Sequence, residues 1–156
     1  MKLEQAKAKA ETIVEKLNPY CTRIEVAGSI RREKPFVNDI DLVAIPSNQG
    51  QLIFEITQMG GTPILLGEKL IRYQMPNITI DIYIATPETW ATLLLIRTGS
   101  AGHNIKLCSL AKSRGMKLKA NGDGLFRNET RIAGDTEESI FKTLGLPYIE
   151  PRYREV

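Results

Sequence analysis

The sequence predicts an α+β fold: a mixed β-sheet with flanking helices, followed by a smaller helical and β-hairpin lobe. Three patterns predict it. Apolar residues at helical spacing open the chain, two isoleucine-rich segments further on alternate with period two, and helical spacing returns after Pro87.

Leu3, Ala6, Ala10, Ile13, Val14 and Leu17 fall on one face of a first helix, which Asn18-Pro19 ends. Residues 22–27 alternate as a half-buried strand and Gly28-Ser29 closes it as a turn. Asp39 to Ile45 is a second strand, 51–59 a helix, Gly60-Gly61 a turn, and Leu70 to Met75 a third strand that Pro76-Asn77 terminates. Ile78, Ile80, Ile82 and Ile84 then alternate with Thr79, Asp81 and Tyr83, the clearest strand pattern in the chain. Pro87 marks the expected boundary, giving a sheet-based domain over 1–87 and a lobe over 88–156. In that lobe Trp90, Leu93 and Leu94 predict one helix. Ile105, Leu107, Leu110 and Ala111 predict another, after a break at Thr98-Gly99-Ser100. Lys117–Ala120 and Leu125–Arg127 flank the glycine-rich Asn121-Gly122-Asp123-Gly124 turn as a hairpin. Thr136 caps a final helix through Ile140, Phe141 and Leu144, stopped by Gly145 and Pro147.

The 156 residues suit one domain or two small lobes sharing a cleft. An apolar fraction of 42% with 25% charged residues is that of a soluble globular protein rather than a disordered chain. No apolar run approaches the roughly 20 residues of a membrane span, and the opening segment lacks the apolar core of a signal peptide. The expected location is the cytoplasm, in a prokaryotic or viral setting, with no membrane partner. Cys21 and Cys108 are then reduced thiols. The net charge of +3 conceals an asymmetry: eight Lys and Arg stand against two acidic residues between Arg97 and Arg131, while the remainder is acidic. That division suits a polyanion on one part and divalent cations on the other.

The stretch VAGSIRREKPFVNDIDLVAI, Val26–Ile45, carries the chemistry. On a strand, Asp39 and Asp41 direct two carboxylates to one face while Ile40 and Leu42 pack behind. Asp81, flanked by Ile80 and Ile82, adds a third from another strand. Hard oxygen ligands suit Mg²⁺, which keeps some waters and takes further ligands from substrate phosphates. A single histidine argues against a zinc cage. Gly28 lets backbone approach a ligand closely, Ser29 offers N–H and hydroxyl, and Arg31 and Arg32 add charged donors for phosphate. A Gly-Ser pair by itself is a turn and an Asp-x-Asp a solvated strand end. Together with the third aspartate they read as a nucleotidyltransferase site. His103 beside Ser100 lacks an acidic orienter and reads as structural.

The GS pair, DID, TIDIYIATP, TGSAGHN and the final LGLPYIEPRYRE together resemble the family X DNA polymerases, over about Val14 to Glu155. The resemblance implies a nucleotidyltransferase palm in which Asp39 and Asp41 bridge two Mg²⁺ ions, with Mn²⁺ as substitute. It also implies that Asp81 binds the catalytic metal beside the primer 3′-hydroxyl. By the same resemblance Gly28, Ser29 and Arg32 hold the triphosphate, and Gly99 and Asn104 lie near the incoming sugar and base. Lys112, Arg114, Lys117 and Lys119 are candidate contacts to the nucleic-acid backbone.

The implied activity is template-directed, metal-dependent DNA synthesis in gap filling or repair, by a monomer acting on primer-template or gapped DNA and nucleoside triphosphates. The chain shows no segment resembling an N-terminal lyase domain, so no deoxyribose-phosphate lyase activity is expected. Five positions depart from the family pattern. Ile96-Arg97 replaces an aromatic pair that helps exclude a ribose 2′-hydroxyl, and Cys108 replaces an arginine that touches the template. Thr79 replaces an arginine two positions before the third aspartate, and Asn38 a glycine before the first. These departures keep open a terminal or ribonucleotide-tolerant transferase. A silent nucleic-acid-binding module is the third reading.

Overall fold

The computed structural model describes residues 1–155. Helix α1 (Leu3–Leu17) buries Ala6, Ala10, Ile13 and Leu17 as one stripe. Strand β1 (Cys21–Val26) pairs antiparallel with β2 (Asp39–Pro46), and β2 runs parallel to β5 (Ile78–Ile84). Strands β4 (Leu70–Met75) and β3 (Thr62–Leu66) complete a five-stranded mixed sheet of order β1-β2-β5-β4-β3. The hydrophobic even-numbered positions of the two central strands, Ile40, Leu42, Ile80 and Ile82, are fully buried under α1 and α3 (Gln49–Gln58), whose first turn Asn48 caps.

The other sheet face changes character along β2. Val43 packs beneath α4 (Trp90–Thr98), whereas Asp39 and Asp41 run on past the helix uncovered by it. Helix α4 is buried on nearly every side, with Arg97 its one exposed residue. Its Trp90, Ala91 and Leu94 join the sheet cluster, while Leu95 and Ile96 join a separate core with α5 (Ala101–Ser113) and α6 (Glu137–Thr143). A three-stranded sheet of β6 (Lys117–Lys119), β7 (Gly124–Arg127) and β8 (Thr130–Ala133) completes this second lobe. The boundary read at Pro87 thus precedes a helix that both lobes share.

The structure adds three elements to the sequence reading. Gly28–Arg31 forms a short helical turn, α2, rather than a simple turn. Strand β3 went unpredicted because Pro63 argues against a strand and every one of its residues is exposed, as an edge position allows. Strand β8 is too short for alternation to reveal it. Among the described residues no helix is long and apolar enough to cross a membrane.

One buried charge group ties the lobes together. Arg31 on α2 donates to both carboxylate oxygens of Glu137 on α6, at 2.6 and 2.9 Å, and to Thr98 Oγ1 at 2.8 Å. Arg154, which is fully buried, donates to the same Glu137 at 2.8 Å and to the Ile149 carbonyl at 2.8 Å. Burial alone would raise the Glu137 carboxyl, but the Arg31 hydrogen bond and the charges of Arg154 and Arg31 hold it below its ordinary range. Removing one member of such a group strands the others without compensation. The variant Glu137→Gln is therefore expected to lose about 3 kcal/mol of stability in urea denaturation. A loss below about 1 kcal/mol, the value of an exposed pair, would show that the group is not a structural tie.

Candidate active site

Register brings the aspartates together. In the parallel pairing of β2 with β5, Asp41 lies directly opposite Asp81, and Asp39 opposite Thr79, so all three carboxylates share one sheet face. Helix α2 is pinned against them: the Ala27 N–H donates to the Asp41 carbonyl at 2.8 Å. Gly28 follows with φ of +59°, and a Cβ there would collide with the Asp41 carboxylate. Glycine is required at this point both by conformation and by space. No side chain caps the first turn of α2, so its N–H groups remain available to a ligand.

Gly28, Asp39 and Asp41, but not Asp81, line a cleft of about 400 Å³ between the sheet and α4–α5. Gly28, Ser29, Arg32, Asp39, Asp41, Gly99 and Asn104, all singled out from sequence, lie on its walls. Gly99 has φ of +72°, and a Cβ there would meet Arg32 Nη1 at 2.9 Å. Arg32 donates to the Thr98 carbonyl and to the Glu155 carboxylate, each at 2.6 Å. Asn104 donates to the Ile96 carbonyl at 2.8 Å, leaving its Oδ1 buried with no partner among the described residues. A buried acceptor so left costs about 1–3 kcal/mol unless a ligand meets it.

Burial, then the neighbouring charges of Asp81 and Asp39, push the Asp41 carboxyl up to about 6 against the opposing pull of Arg32 and Arg97. Asp39 and Asp41 form no ion pair among the described residues, a concentration of negative oxygen that suits a hard divalent cation. Asp81 differs. It is 7% exposed, and Arg72 on β4 engages both of its oxygens, at 2.6 and 3.2 Å. Asp81 thus lies beside the other two, but its oxygens are turned to Arg72, and among the described residues the three side chains do not form a ready-made ligand group.

Lys34, Phe36 and Tyr83 also line the cleft although the sequence reading passed over them, and Ile96 and Arg97, which replace the aromatic pair, lie there with them. Tyr83 was within reach, being two positions past Asp81 on the same strand face. Arg97 stacks over the Tyr83 ring at 4.2 Å, a placement that depends on how α4 crosses the sheet. One reading needs correction: Arg31 is not a free phosphate donor but is committed to Glu137 and Thr98. Arg114 is exposed and donates through Nη1 to the Leu144 carbonyl at 2.7 Å, at the end of α6. Lys112 and Lys117 are exposed, and Lys119 lies over the Phe126 ring at 4.0 Å. Cys108 is turned toward β6, its Sγ 3.9 Å from the Leu118 carbonyl. His103 is buried, and burial with the nearby Arg154 and Lys106 charges drives it down to about 4, so it remains neutral and packs on Phe141.

Residues 93–155 match the family model described as the DNA polymerase beta thumb. The chain is 28% identical over 142 residues to repair DNA polymerase X of African swine fever virus, covering 84% of this chain and 80% of the viral protein. It is 26% identical over 134 residues to the Bacillus subtilis DNA polymerase/3′-5′ exonuclease PolX, where 83% of this chain covers 24% of the relative. By these matches the chain is similar to the family X DNA polymerases. Its fold matches crystal structures of Leishmania infantum polymerase beta in ternary P/T and gap complexes. The TM-scores are 0.85 and 0.82 at 19% and 17% identity, over all of this chain and 77% and 71% of theirs.

The raised Asp41 carboxyl predicts a pH signature in the metal-free protein. Asp41 titrates near the usual carboxylate value when unfolded and near 6 when folded, so the folded state binds the proton more tightly and stability falls as pH rises between them. Asp41→Asn should escape this loss. In chelator it is expected to exceed the unsubstituted chain by about 2 kcal/mol at pH 7.5, with the difference gone near pH 4. Equal stabilities at pH 7.5 would contradict the assigned electrostatics.

Proposed function

We propose that the chain extends a DNA 3′-hydroxyl from nucleoside triphosphates under direction of a template, releasing pyrophosphate, in gap filling or repair. The observation that carries this reading is that Asp39 and Asp41 face the Gly28–Arg32 turn across one cleft, with Asp81 directly beside Asp41 in the strand register. The relatives are named as repair and other DNA polymerases, and the matched Leishmania structures are ternary complexes with P/T and gap substrates, which supports DNA as the partner. The protein acts on this proposal as a monomer in the cytoplasm. The terminal-transferase alternative gains nothing from these relatives.

In this reading Asp39 and Asp41 hold two Mg²⁺ or Mn²⁺ ions, and Asp81 completes the set nearest the primer end. Metals held there by Asp39, Asp41 and Asp81 would supply activation of the attacking hydroxyl and neutralisation of the leaving pyrophosphate. The protein's share is positioning. Ser29 and the uncapped N–H groups of α2 orient the triphosphate, and Arg32 exchanges its Glu155 partner for phosphate oxygens. Asn104 Oδ1, which has no partner among the described residues, and the backbone at Gly99 would meet the sugar and base in this reading.

Primer extension on a gapped duplex tests the proposal. Synthesis is expected with Mg²⁺, falling by about a thousandfold in kcat for Asp39→Asn and for Asp81→Asn. For Ser29→Ala the expected effect is chiefly a rise in nucleotide KM of about tenfold. Extension that survives the loss of either aspartate would overturn the assignment.

A further inference from the structure

Asp81 occupies the middle of a row running across three strands. Asp41 faces it from β2 on one side, and Arg72 faces it from β4 on the other, each directly opposite in register. Directly opposed side chains on neighbouring strands are close enough to interact, so Asp81 has two candidate neighbours of opposite charge. In this structure it has taken the cation. Arg72 Nε donates to Oδ1 at 2.6 Å and Nη2 to Oδ2 at 3.2 Å, a side-on fork that uses both oxygens and leaves Nη1 unengaged. The Asp81 side chain is 10% exposed and that of Arg72 40%, so the carboxylate is held within the sheet while the guanidinium can withdraw to solvent.

We propose that Arg72 is a positioning residue for the third carboxylate: it holds Asp81 in a two-point ion pair that a divalent cation displaces, coupling completion of the metal site to release of Arg72. The proposal rests on the reading of Asp81 as a metal ligand. The chain's geometry gives the physical reason. Three carboxylates on one sheet face repel one another when no cation is present, and Arg72 neutralises the most buried of them. The same guanidinium competes directly with any cation that needs an Asp81 oxygen. Arg72 thus steadies the three carboxylates at the expense of metal affinity, and the sign of its effect on binding is fixed: removing it tightens metal binding.

The test is a Mn²⁺ titration of the full chain followed by electron paramagnetic resonance, without nucleotide or DNA. Arg72→Gln is expected to bind Mn²⁺ about tenfold more tightly, and Arg72→Lys, which keeps the charge but not the fork, about two- to threefold more tightly. Asp39→Asn and Asp81→Asn are expected to weaken it. In the unsubstituted chain the Arg72 Nε–H should exchange slowly with solvent by ¹⁵N NMR in chelator and quickly on addition of Mg²⁺. If Arg72→Gln binds with unchanged or weaker affinity while both aspartate variants still weaken binding, the role assigned to Arg72 is wrong and the metal site stands. If the aspartate variants leave Mn²⁺ binding unaltered, the metal-site reading itself is wrong, and the proposal falls with it.

Discussion

Parallel pairing of β2 with β5 sets Asp41 opposite Asp81, and the placement of every other group in the cleft follows from that register. A slip of one residue would turn the carboxylates into the core and expose the isoleucines. Ile40, Leu42, Ile80 and Ile82, all fully buried on the opposite face, make such a slip costly. Burial behind the strands thus fixes the chemistry in front of them.

That chemistry is electrostatically expensive. Asp41 carries a strongly raised carboxyl because burial and two like charges act on it together, and the Gly28 backbone leaves no room for it to move away. Groups held against their solution preference are common where a ligand completes the site. Charge is balanced here by pairing: Arg72 neutralises Asp81, Glu155 occupies Arg32 and lies within 3.4 Å of Lys34, and Glu137 unites Arg31 with Arg154. Adjacent arginines on one helical turn thereby serve different ends. Arg31 fastens the lobes to each other, while Arg32 faces the cleft.

Much of this was legible in the sequence because local rules produced it. Period-two alternation located both strands that carry the aspartates, Thr136 marked the capped start of α6, and Gly28 and Gly99 mark positions where the backbone needs positive φ. Features that depend on strand order were not legible. Arg72 stands nine residues before Asp81, and only the β4–β5 register makes them neighbours. Arg31 and Arg32 look alike as a dipeptide, and only the packing of α6 against α2 separates their roles. Strand β3, with Pro63 and no buried residue, carries no local signal because it gains its place from β4 alone. The lysines of the second lobe likewise reveal charge, but not direction.

Anomalous diffraction from crystals grown with Mn²⁺ and a non-hydrolysable nucleoside triphosphate tests the central claim most directly. The account predicts two peaks roughly 3.5–4 Å apart, shared by Asp39 and Asp41, with Asp81 turned from Arg72 toward one of them. Peaks elsewhere, or none in this cleft with the triphosphate bound, would contradict it.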